Sequence, residues 1–216
     1  MDRVQASRST DRVLTSRGTA TMQRIVAGAA MLIRDRGVAN VSLDDIRDAT
    51  STSKSQLFHY FPDGKVDLLL AVARYEAEQI LADQQPMLAD LTTWPKWQAW
   101  RQRVIQKYKA QGRRCPLSAL TSQLGLANPA TQTIITDLYD QWHRYLTAGV
   151  KALIDAGEID QSTDPGQAAS ALLAAVTGGA TLLQATGRIS YLQASLTEAL
   201  NGLRATRGRS RPQTQD

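Results

Sequence analysis

Residues 53–60 concentrate hydrogen-bonding groups: hydroxyls, an ammonium, an amide, an imidazole and a phenol, with no carboxylate among them. Such groups suit phosphate oxygens and the edges of bases. A helix that only faces solvent usually carries some Asp or Glu, so the absence of acids favours a face that lies against nucleic acid. The side chains predicted to point outward are those of Ser53, Lys54, Ser55, Gln56, His59 and Tyr60.

Two short helices joined by a tight turn would position this face. The first opens at Ser42, a good N-cap, and Asp45 three residues later gives a near-match to a capping box. The second helix covers about residues 53–60. Its Leu57 and the following Phe61, four residues apart, can anchor it to the first helix of the chain. The pattern predicts a helix-turn-helix whose second helix lies in the major groove of DNA.

Start and stop signals divide the rest of the chain into further helices. Thr21 is a good N-cap for a first helix that Gly37 closes, and Lys65 opens a long fourth helix that ends near Gln85. No stretch has a convincing strand pattern, so the sequence predicts an all-α fold of about nine helices. The later helices are expected around 97–108, over 117–126, from Asn128-Pro129 to about 157, from Asp164-Pro165 to Gly187, and from a capping box of Ser190 and Gln193 onwards.

Positive charge is concentrated at both ends of the chain. Residues 1–65 hold ten basic and seven acidic residues, and residues 204–216 hold four arginines and one aspartate. The middle is close to neutral, while the whole chain has a formal net charge of +5. A polyanionic partner such as DNA fits this distribution.

The scarcity of cysteine and histidine limits the chemistry. Cys115 is the only cysteine, so an internal disulfide and a cysteine zinc cluster are ruled out, and a cytoplasmic location is favoured. With only His59 and His143, neither a metal site nor a cofactor is expected. No phosphate loop or nucleophile motif occurs, so we predict that the chain is not an enzyme.

The N-terminal motifs resemble those of TetR-family transcriptional repressors, over about residues 21–65. The later motifs resemble the LmrA/YxaF-like subfamily, which includes the lincomycin-resistance repressor. One departure is Ser51, which stands in the turn where members of the family commonly have glycine. The matching motifs are Thr21-x-x-Arg24-Ile25, Gly37, Ser42-x-x-Asp45-Ile46, Ser53-Lys54-x-x-Leu57-Phe58-His59-Tyr60-Phe61, Phe61-Pro62-x-Gly64-Lys65 and Cys115-Pro116-Leu117.

The resemblance implies roles for the polar residues of this region. Ser42 and Tyr60 would bind phosphates, and Lys65 would meet a phosphate at a helix N-terminus, where backbone N–H groups also attract anions. Gln56 is our choice for direct base reading, since its amide can pair with adenine through two hydrogen bonds. The side chains expected to face the groove are those of Lys54, Ser55, Gln56 and His59, and Ser53 is also predicted to contact DNA.

The resemblance also predicts the domain plan. Residues 1–18 would form a flexible basic arm, 19–65 the DNA-binding domain, 66–204 a ligand-binding and dimerisation domain, and 205–216 a disordered tail. Arg3, Arg8, Arg12 and Arg17 of the arm either reach a minor groove or belong to a tail without such a role.

A homodimer that binds a near-palindromic operator is expected, because one helix-turn-helix reads few base pairs. Helices over 129–156 and 165–187 from each subunit would form a four-helix bundle. The alternative is that the second of these helices is buried within one subunit. The predicted interface residues are Tyr145, Ala168, Ala171, Ala175, Gly178 and Gly179.

The resemblance implies that the middle of the chain encloses a pocket for a small-molecule effector, expected to be hydrophobic or aromatic, that releases the repressor from DNA. Seven basic residues and no acids between Leu91 and Thr136 leave two readings open, an anionic ligand or a solvated basic face. Each large aromatic side chain could instead belong to the core. The predicted ligand-binding residues are Trp97, Trp100, Tyr108, Leu120, Leu124, Tyr139 and Trp142.

Three further alternatives stay open at this point. The chain could be a dimeric DNA-binding protein without a small-molecule ligand. Cys115 could be a low-pKa redox switch rather than a structural thiol. The uncharged stretch 165–187 is long enough to cross a bilayer, but its six polar residues favour a buried helix and no membrane partner.

Overall fold

The computed structural model describes residues 15–126 and 128–205, and nine α-helices occupy this part of the chain. No strand occurs in it, which confirms the predicted all-α fold. Two 3₁₀ turns, Val38–Asn40 and Met87–Ala89, lie between helices. The helices are α1 (Ser16–Arg36), α2 (Leu43–Thr50), α3 (Lys54–Tyr60), α4 (Lys65–Ala82), α5 (Trp94–Gln111), α6 (Pro116–Leu124), α7 (Pro129–Asp155), α8 (Pro165–Thr186) and α9 (Ser190–Ala205).

Helix α1 begins earlier than the sequence predicted. Its N-cap is Thr15, whose hydroxyl accepts a hydrogen bond from the Gly18 amide, while the predicted cap Thr21 lies inside the helix and donates to the Arg17 carbonyl. Residues 15–18, assigned to the basic arm, are therefore the cap and first turn of α1. The rest of the predicted arm, residues 1–14, lies outside the described residues, and so does the predicted tail from residue 206 onwards.

Most other boundaries follow the predicted caps. The side chains of Asn128 and Asp164 accept hydrogen bonds from the first amides of α7 and α8, and Gly187 ends α8 with φ 76°. Helix α6 ends at Leu124 rather than near 126. Ser190 is the first helical residue of α9 and not its cap, since the Gln193 amide donates to the Ile189 carbonyl.

Three tryptophans form the centre of the core of the C-terminal part. Trp97, Trp100 and Trp142 are each at most 1% exposed, and the first two rings meet edge to face with centroids 5.6 Å apart. Helix α7 reaches this cluster closely at Gly149, where an added methyl group would lie 2.8 Å from the Trp97 ring. Burial of such large rings is the dominant stabilisation available here.

Helix α8 lies between α7 and α9 and contacts both extensively. Within the described residues it alone is long and apolar enough to cross a membrane, with a mean hydropathy of 1.4 over its most apolar window. Its inner face packs into the protein through Leu172, Val176 and Leu183. That packing is typical of a core helix in a helical bundle.

Candidate nucleic-acid interface and ligand cleft

A complete capping box begins α2, as predicted. The Ser42 hydroxyl accepts from the Asp45 amide at 3.1 Å, and the Asp45 carboxylate accepts from the Ser42 amide at 2.8 Å. Hydrogen bonds from Ser42 lower the pKa of the Asp45 carboxyl. This carboxylate also pairs with Arg36 at 3.3 Å, so a cation balances its negative charge.

The turn between α2 and α3 is held in a left-handed conformation at Ser51. Its φ and ψ are 48° and 47°, the one positive φ at a non-glycine residue in the described part of the chain. This conformation costs a residue with a side chain roughly 1–2 kcal/mol, which explains why glycine suits the position. The two flanking threonines stabilise the turn, because Thr50 Oγ1 donates to the Ile46 carbonyl at 2.6 Å and lies 2.9 Å from Thr52 Oγ1.

Helix α1 supports this turn through a close approach at Gly28. A methyl group on Gly28 would collide with Cγ2 of the buried Thr50. The absence of a side chain therefore lets α1 and α2 pack together, which orients the turn and α3 behind it.

Helix α3 presents the predicted polar face. Ser53 caps it, Leu57 and Phe61 are 0% and 2% exposed, and the hydrogen-bonding side chains point away from that buried side. Both side chains are thus buried, as an anchoring role requires. The exposed residues of α3 and its cap include Ser53, Lys54, Ser55, Gln56 and His59, while Tyr60 is half-buried with its ring edge-on to His59 at 5.0 Å.

Gln56 is engaged in the local structure of α3. Its Oε1 accepts a hydrogen bond from the Ser53 amide at 3.1 Å and completes a second capping box. The amide NH₂ group is directed away from that bond and stays available for a partner. A two-bond contact with adenine needs both ends of the amide, so base reading by Gln56 would compete with its capping bond.

Lys65 reaches across the domain instead of projecting freely. Its Nζ donates to the Val41 carbonyl at 2.8 Å and so joins the start of α4 to the segment before α2. The ammonium keeps two further N–H groups for a phosphate oxygen. Ser42, which follows Val41, is exposed on the same connection and fits the predicted phosphate contact.

Sequence reasoning did not assign a role to Phe58, which is 41% exposed on α3. Its ring lies beside Gly64, where a methyl group would be 3.4 Å from Phe58 Cε1. Gly64 has φ 64° and ψ −119°, a conformation that only glycine adopts without strain. The available sequence signal was Gly64 itself, since a glycine directly before a helix indicates that another group, here the Phe58 ring, lies close to its backbone.

A separate cleft of about 450 Å³ lies between α1, α4, α5 and α6. Tyr108 alone of the predicted ligand-binding residues lines it. Trp97, Trp100, Leu120 and Trp142 are buried in the core, Leu124 is half-buried and Tyr139 is on the surface at 36% exposure. The cleft is lined by Tyr75, Ile80, Val104, Leu117 and Cys115, and by charged or amide side chains that include Arg34, Asp35, Glu76, Asp83, Lys107 and Arg114.

The basic residues near this cleft mostly have partners. Lys107 pairs with Asp83, Arg103 donates to the Asp83 carbonyl at 2.7 Å, and Lys96 pairs with Asp90 at 2.7 Å. The acids that the stretch 91–136 lacks are thus supplied by the segment before α5. These ion pairs indicate that the basic residues form a solvated face and not a binding site for an anionic ligand.

Cys115 has the properties of a structural thiol. Its sulfur lies at the N-cap of α6, 3.5 Å from the Ser118 amide, and burial raises the pKa of the thiol. A redox switch needs a lowered pKa, so these surroundings favour the structural role over the switch. Burial likewise raises the pKa of the neighbouring Tyr108 phenol, which therefore stays neutral.

The predicted dimer residues, five on α8 and Tyr145 on α7, differ in their exposure. Ala171 and Gly178 are exposed, and Gly178 has open space around it. Ala168, Ala175 and Tyr145 are half-buried. Gly179 instead faces α9, where a methyl group would lie 2.5 Å from Leu192 Cα, so this residue serves packing within the subunit.

Two family models match the chain. One, described as bacterial regulatory proteins of the tetR family, matches residues 25–72, and the other, a tetracyclin repressor-like C-terminal domain, matches residues 96–199. The first match covers α2, α3 and the turn between them, where the acid-free face was found. The second covers most of α5 to α9.

Individual proteins are similar to this chain in sequence or in fold. An uncharacterised HTH-type transcriptional regulator of Lactococcus lactis is 25% identical over 81% of this chain and 89% of its own length. The fold is shared with a TetR-family regulator of Cytophaga hutchinsonii (TM-score 0.72, 21% identity, 89% and 98% of the two chains). It is also shared with reduced NemR of Escherichia coli (TM-score 0.71, 16% identity, 87% and 99%). With its helix-turn-helix, its all-helical C-terminal part and both family models in agreement, the chain belongs to the TetR family of DNA-binding transcriptional regulators.

Proposed function

We propose that the protein is a ligand-responsive repressor that binds a near-palindromic operator as a homodimer and is released by a small-molecule effector. Its place would be the cytoplasm, and its subfamily the LmrA/YxaF-like one that Cys115-Pro116-Leu117 suggests. The observation that carries the proposal is the polar, acid-free face of α3, held outward by the burial of Leu57 and Phe61.

DNA contact is divided between two kinds of group on this surface. Lys54, Ser55, Gln56 and His59 enter the major groove, and Ser42, Tyr60 and Lys65 bind the phosphates beside it, with Ser53 at the boundary. Phosphate contacts fix the register of the protein on the duplex, while contacts with base edges carry the sequence preference. In a dimer the two α3 helices would stand about 34–36 Å apart, one turn of DNA.

The exposed face of α8 is the surface for a second copy. It is free of charge and built mainly of small side chains, which allow close helix approach, whereas the exposed face of α7 carries Asp137, Asp140, Arg144 and Lys151. Leu182 on α8 and Tyr191 on α9 are 45% and 39% exposed beside it. We therefore propose a four-helix bundle of α8 and α9 from each subunit; the bundle predicted from the sequence, of helices over 129–156 and 165–187, is the alternative. The exposed residues of α8 are Gln167, Ser170, Ala171, Ala174, Gly178, Thr181, Leu182, Ala185 and Thr186.

Selection of binding sites from a random duplex pool tests the DNA-binding proposal. The expected result is an inverted repeat whose half-sites lie about one DNA turn apart. Recovery of a single unrepeated site would contradict the dimeric operator, and failure to enrich any duplex at low salt would contradict the whole proposal. A constitutive DNA-binding protein without an effector, the second candidate, would give the inverted repeat but no change in affinity with any small molecule.

A further inference from the structure

Glu76 is a carboxylate buried in the wall of the cleft. The residue is 5% exposed in the middle of α4, and burial raises the pKa of its carboxyl. Its ion-pair partner is Arg34 of α1, whose Nη2 lies 2.7 Å from Glu76 Oε1. The Arg34 side chain is 41% exposed, so this guanidinium covers Glu76 from the solvent side.

The surroundings of Glu76 combine an apolar wall with aromatic rings. Ile80, Val104 and Leu117 supply aliphatic surface, and Tyr75 and Tyr108 line the same cleft. Aromatic faces attract organic cations as well as apolar groups. The nearby Asp83 is already neutralised by Lys107. Within the cleft, Glu76 is a buried carboxylate whose cationic partner, Arg34, is itself 41% exposed and so accessible to a competing cation.

The Arg34–Glu76 pair also joins two parts of the protein. Arg34 lies in the last turn of α1, the helix that supports the turn of the DNA-binding domain at Gly28, whereas Glu76 belongs to α4. A molecule that takes the place of Arg34 against Glu76 would remove this link between α1 and α4.

We propose that this cleft is the effector site, that it takes a small organic cation with an apolar or aromatic body, and that the cation displaces Arg34 from Glu76. The inference rests on the proposed function and adds the chemistry and position of the effector. DNA and the cation would bind states that differ at the α1–α4 contact, so each would weaken the binding of the other by the same factor.

Three molecules that share one ring test the charge requirement. Benzamidine is cationic, benzamide is its neutral analogue and benzoate is the anion. Isothermal titration calorimetry at pH 7 should give binding of benzamidine about tenfold or more tighter than that of the other two, because hydrogen bonds to a charged partner are the stronger kind. Equal binding of all three, tighter binding of benzoate, or no binding of benzamidine would overturn the proposal.

Variants of the pair should shift cation binding in opposite directions. Glu76→Gln removes the charge at constant shape and should weaken benzamidine binding about tenfold. Arg34→Gln removes the internal competitor and should strengthen it about tenfold. An unchanged affinity in Arg34→Gln would show that the cation does not compete for Glu76 and would overturn the displacement.

A variant at the edge of the cleft keeps the test independent of the buried charge. Ala110 is exposed and lines the cleft, so Ala110→Trp should fold normally and fill the space. It should abolish benzamidine binding, and retained benzamidine binding would place the ligand elsewhere. If wild type bound its selected duplex but no cation, this inference would fail while the proposed function stood. If it bound no duplex, the proposed function itself would fail.

Discussion

The Lys65 ammonium donates to the Val41 carbonyl across 24 residues of sequence, at 2.8 Å. This bond draws the first residue of α4 to the connection that precedes Ser42, the cap of α2. A side chain chosen from sequence as a phosphate ligand therefore also maintains the shape of the surface on which phosphates would bind.

Replacing Lys65 by Met should separate these two roles. Loss of the cation should weaken binding to all duplex sequences and lower the slope of log affinity against log salt by about one. Loss of the bond to Val41 should reduce the free energy of unfolding by about 1 kcal/mol. Fluorescence anisotropy at several salt concentrations and urea denaturation measure the two effects.

Lys151→Met is the matched control, since Lys151 is an exposed cation on α7. Its salt slope should equal that of the wild type. An unchanged slope in Lys65→Met would show that Lys65 meets no phosphate and acts only within the protein.

Gln56 should respond differently to two substitutions. Gln56→Glu keeps an acceptor for the Ser53 amide, so stability should be preserved, but a carboxylate on the DNA-facing helix should lower duplex affinity at least about tenfold, or about 1.4 kcal/mol. Gln56→Ala loses the acceptor and should cost about 0.5–1 kcal/mol of stability. It should also relax the preference at one base position of the half-site.

Thermal unfolding together with site selection on each variant checks these expectations. Ser53→Ala is the control for capping, since it removes the other half of the same box. If Gln56→Ala selected the same motif as wild type, Gln56 would be a capping residue alone and base reading would belong to other residues of α3.

Ser51→Gly should stabilise the protein. Glycine adopts the left-handed conformation of this turn without the cost to Ser51 of roughly 1–2 kcal/mol, and its greater freedom in the unfolded chain offsets part of that gain. The net increase should be up to about 1 kcal/mol, measurable by urea denaturation. Ser51→Val should move stability the other way, and a loss of stability in Ser51→Gly would mean that the serine side chain itself supports the turn.

Local signals predicted most of this architecture. The caps at Ser42, Asn128 and Asp164 were identified because a capping side chain and the amides it binds lie within three residues of each other. The sequence predicted the start of α1 too late in the chain. The first turn of this helix buries little apolar surface, and Thr15 and Thr21 are equally suitable as caps. The acid-free face of α3 was equally predictable from the sequence, because it depends only on the order of residues within one helix.

The cleft could not be predicted in the same way. Arg34 and Glu76 meet only when α1 packs on α4, and nothing in either helix alone indicates that the two side chains form a pair. Large aromatic residues were assigned to a pocket because size and hydrophobicity suit both a pocket and a core. Packing distinguishes the two, since Trp97, Trp100 and Trp142 are at most 1% exposed and do not line the cleft.

Glu76 should give stability a distinct pH dependence. Burial raises the pKa of its carboxyl above the usual 4.5, so the folded state holds its proton at pH values where the unfolded chain has lost it. The stabilisation from protonated Glu76 is complete below the unfolded pKa and is lost as pH rises through the folded pKa. Asp45, whose pKa is lowered, contributes in the opposite direction and loses its stabilisation as pH falls through its folded pKa.

The difference in unfolding free energy between wild type and Glu76→Gln isolates this effect, because Asp45 is present in both proteins. Urea denaturation from pH 4 to pH 8 should show that the free energy of unfolding of the wild type falls relative to that of Glu76→Gln as pH rises above about 4.5. A shift in favour of the wild type over that range would mean that Arg34 outweighs burial and lowers the pKa of Glu76 below its usual value.

Ala174→Arg should convert the protein to a monomer and thereby weaken operator binding. Ala174 lies on the exposed, uncharged face of α8, and an arginine there would place two like charges near the axis of a symmetric interface. Because the helix packs inward through Leu172 and Val176, the substitution should leave the subunit folded. Light scattering should show the monomer mass, and affinity for the full inverted repeat should fall towards that for a half-site. Gln141→Arg, on the exposed face of α7, should stay dimeric. A monomeric Gln141→Arg together with a dimeric Ala174→Arg would return the interface to α7.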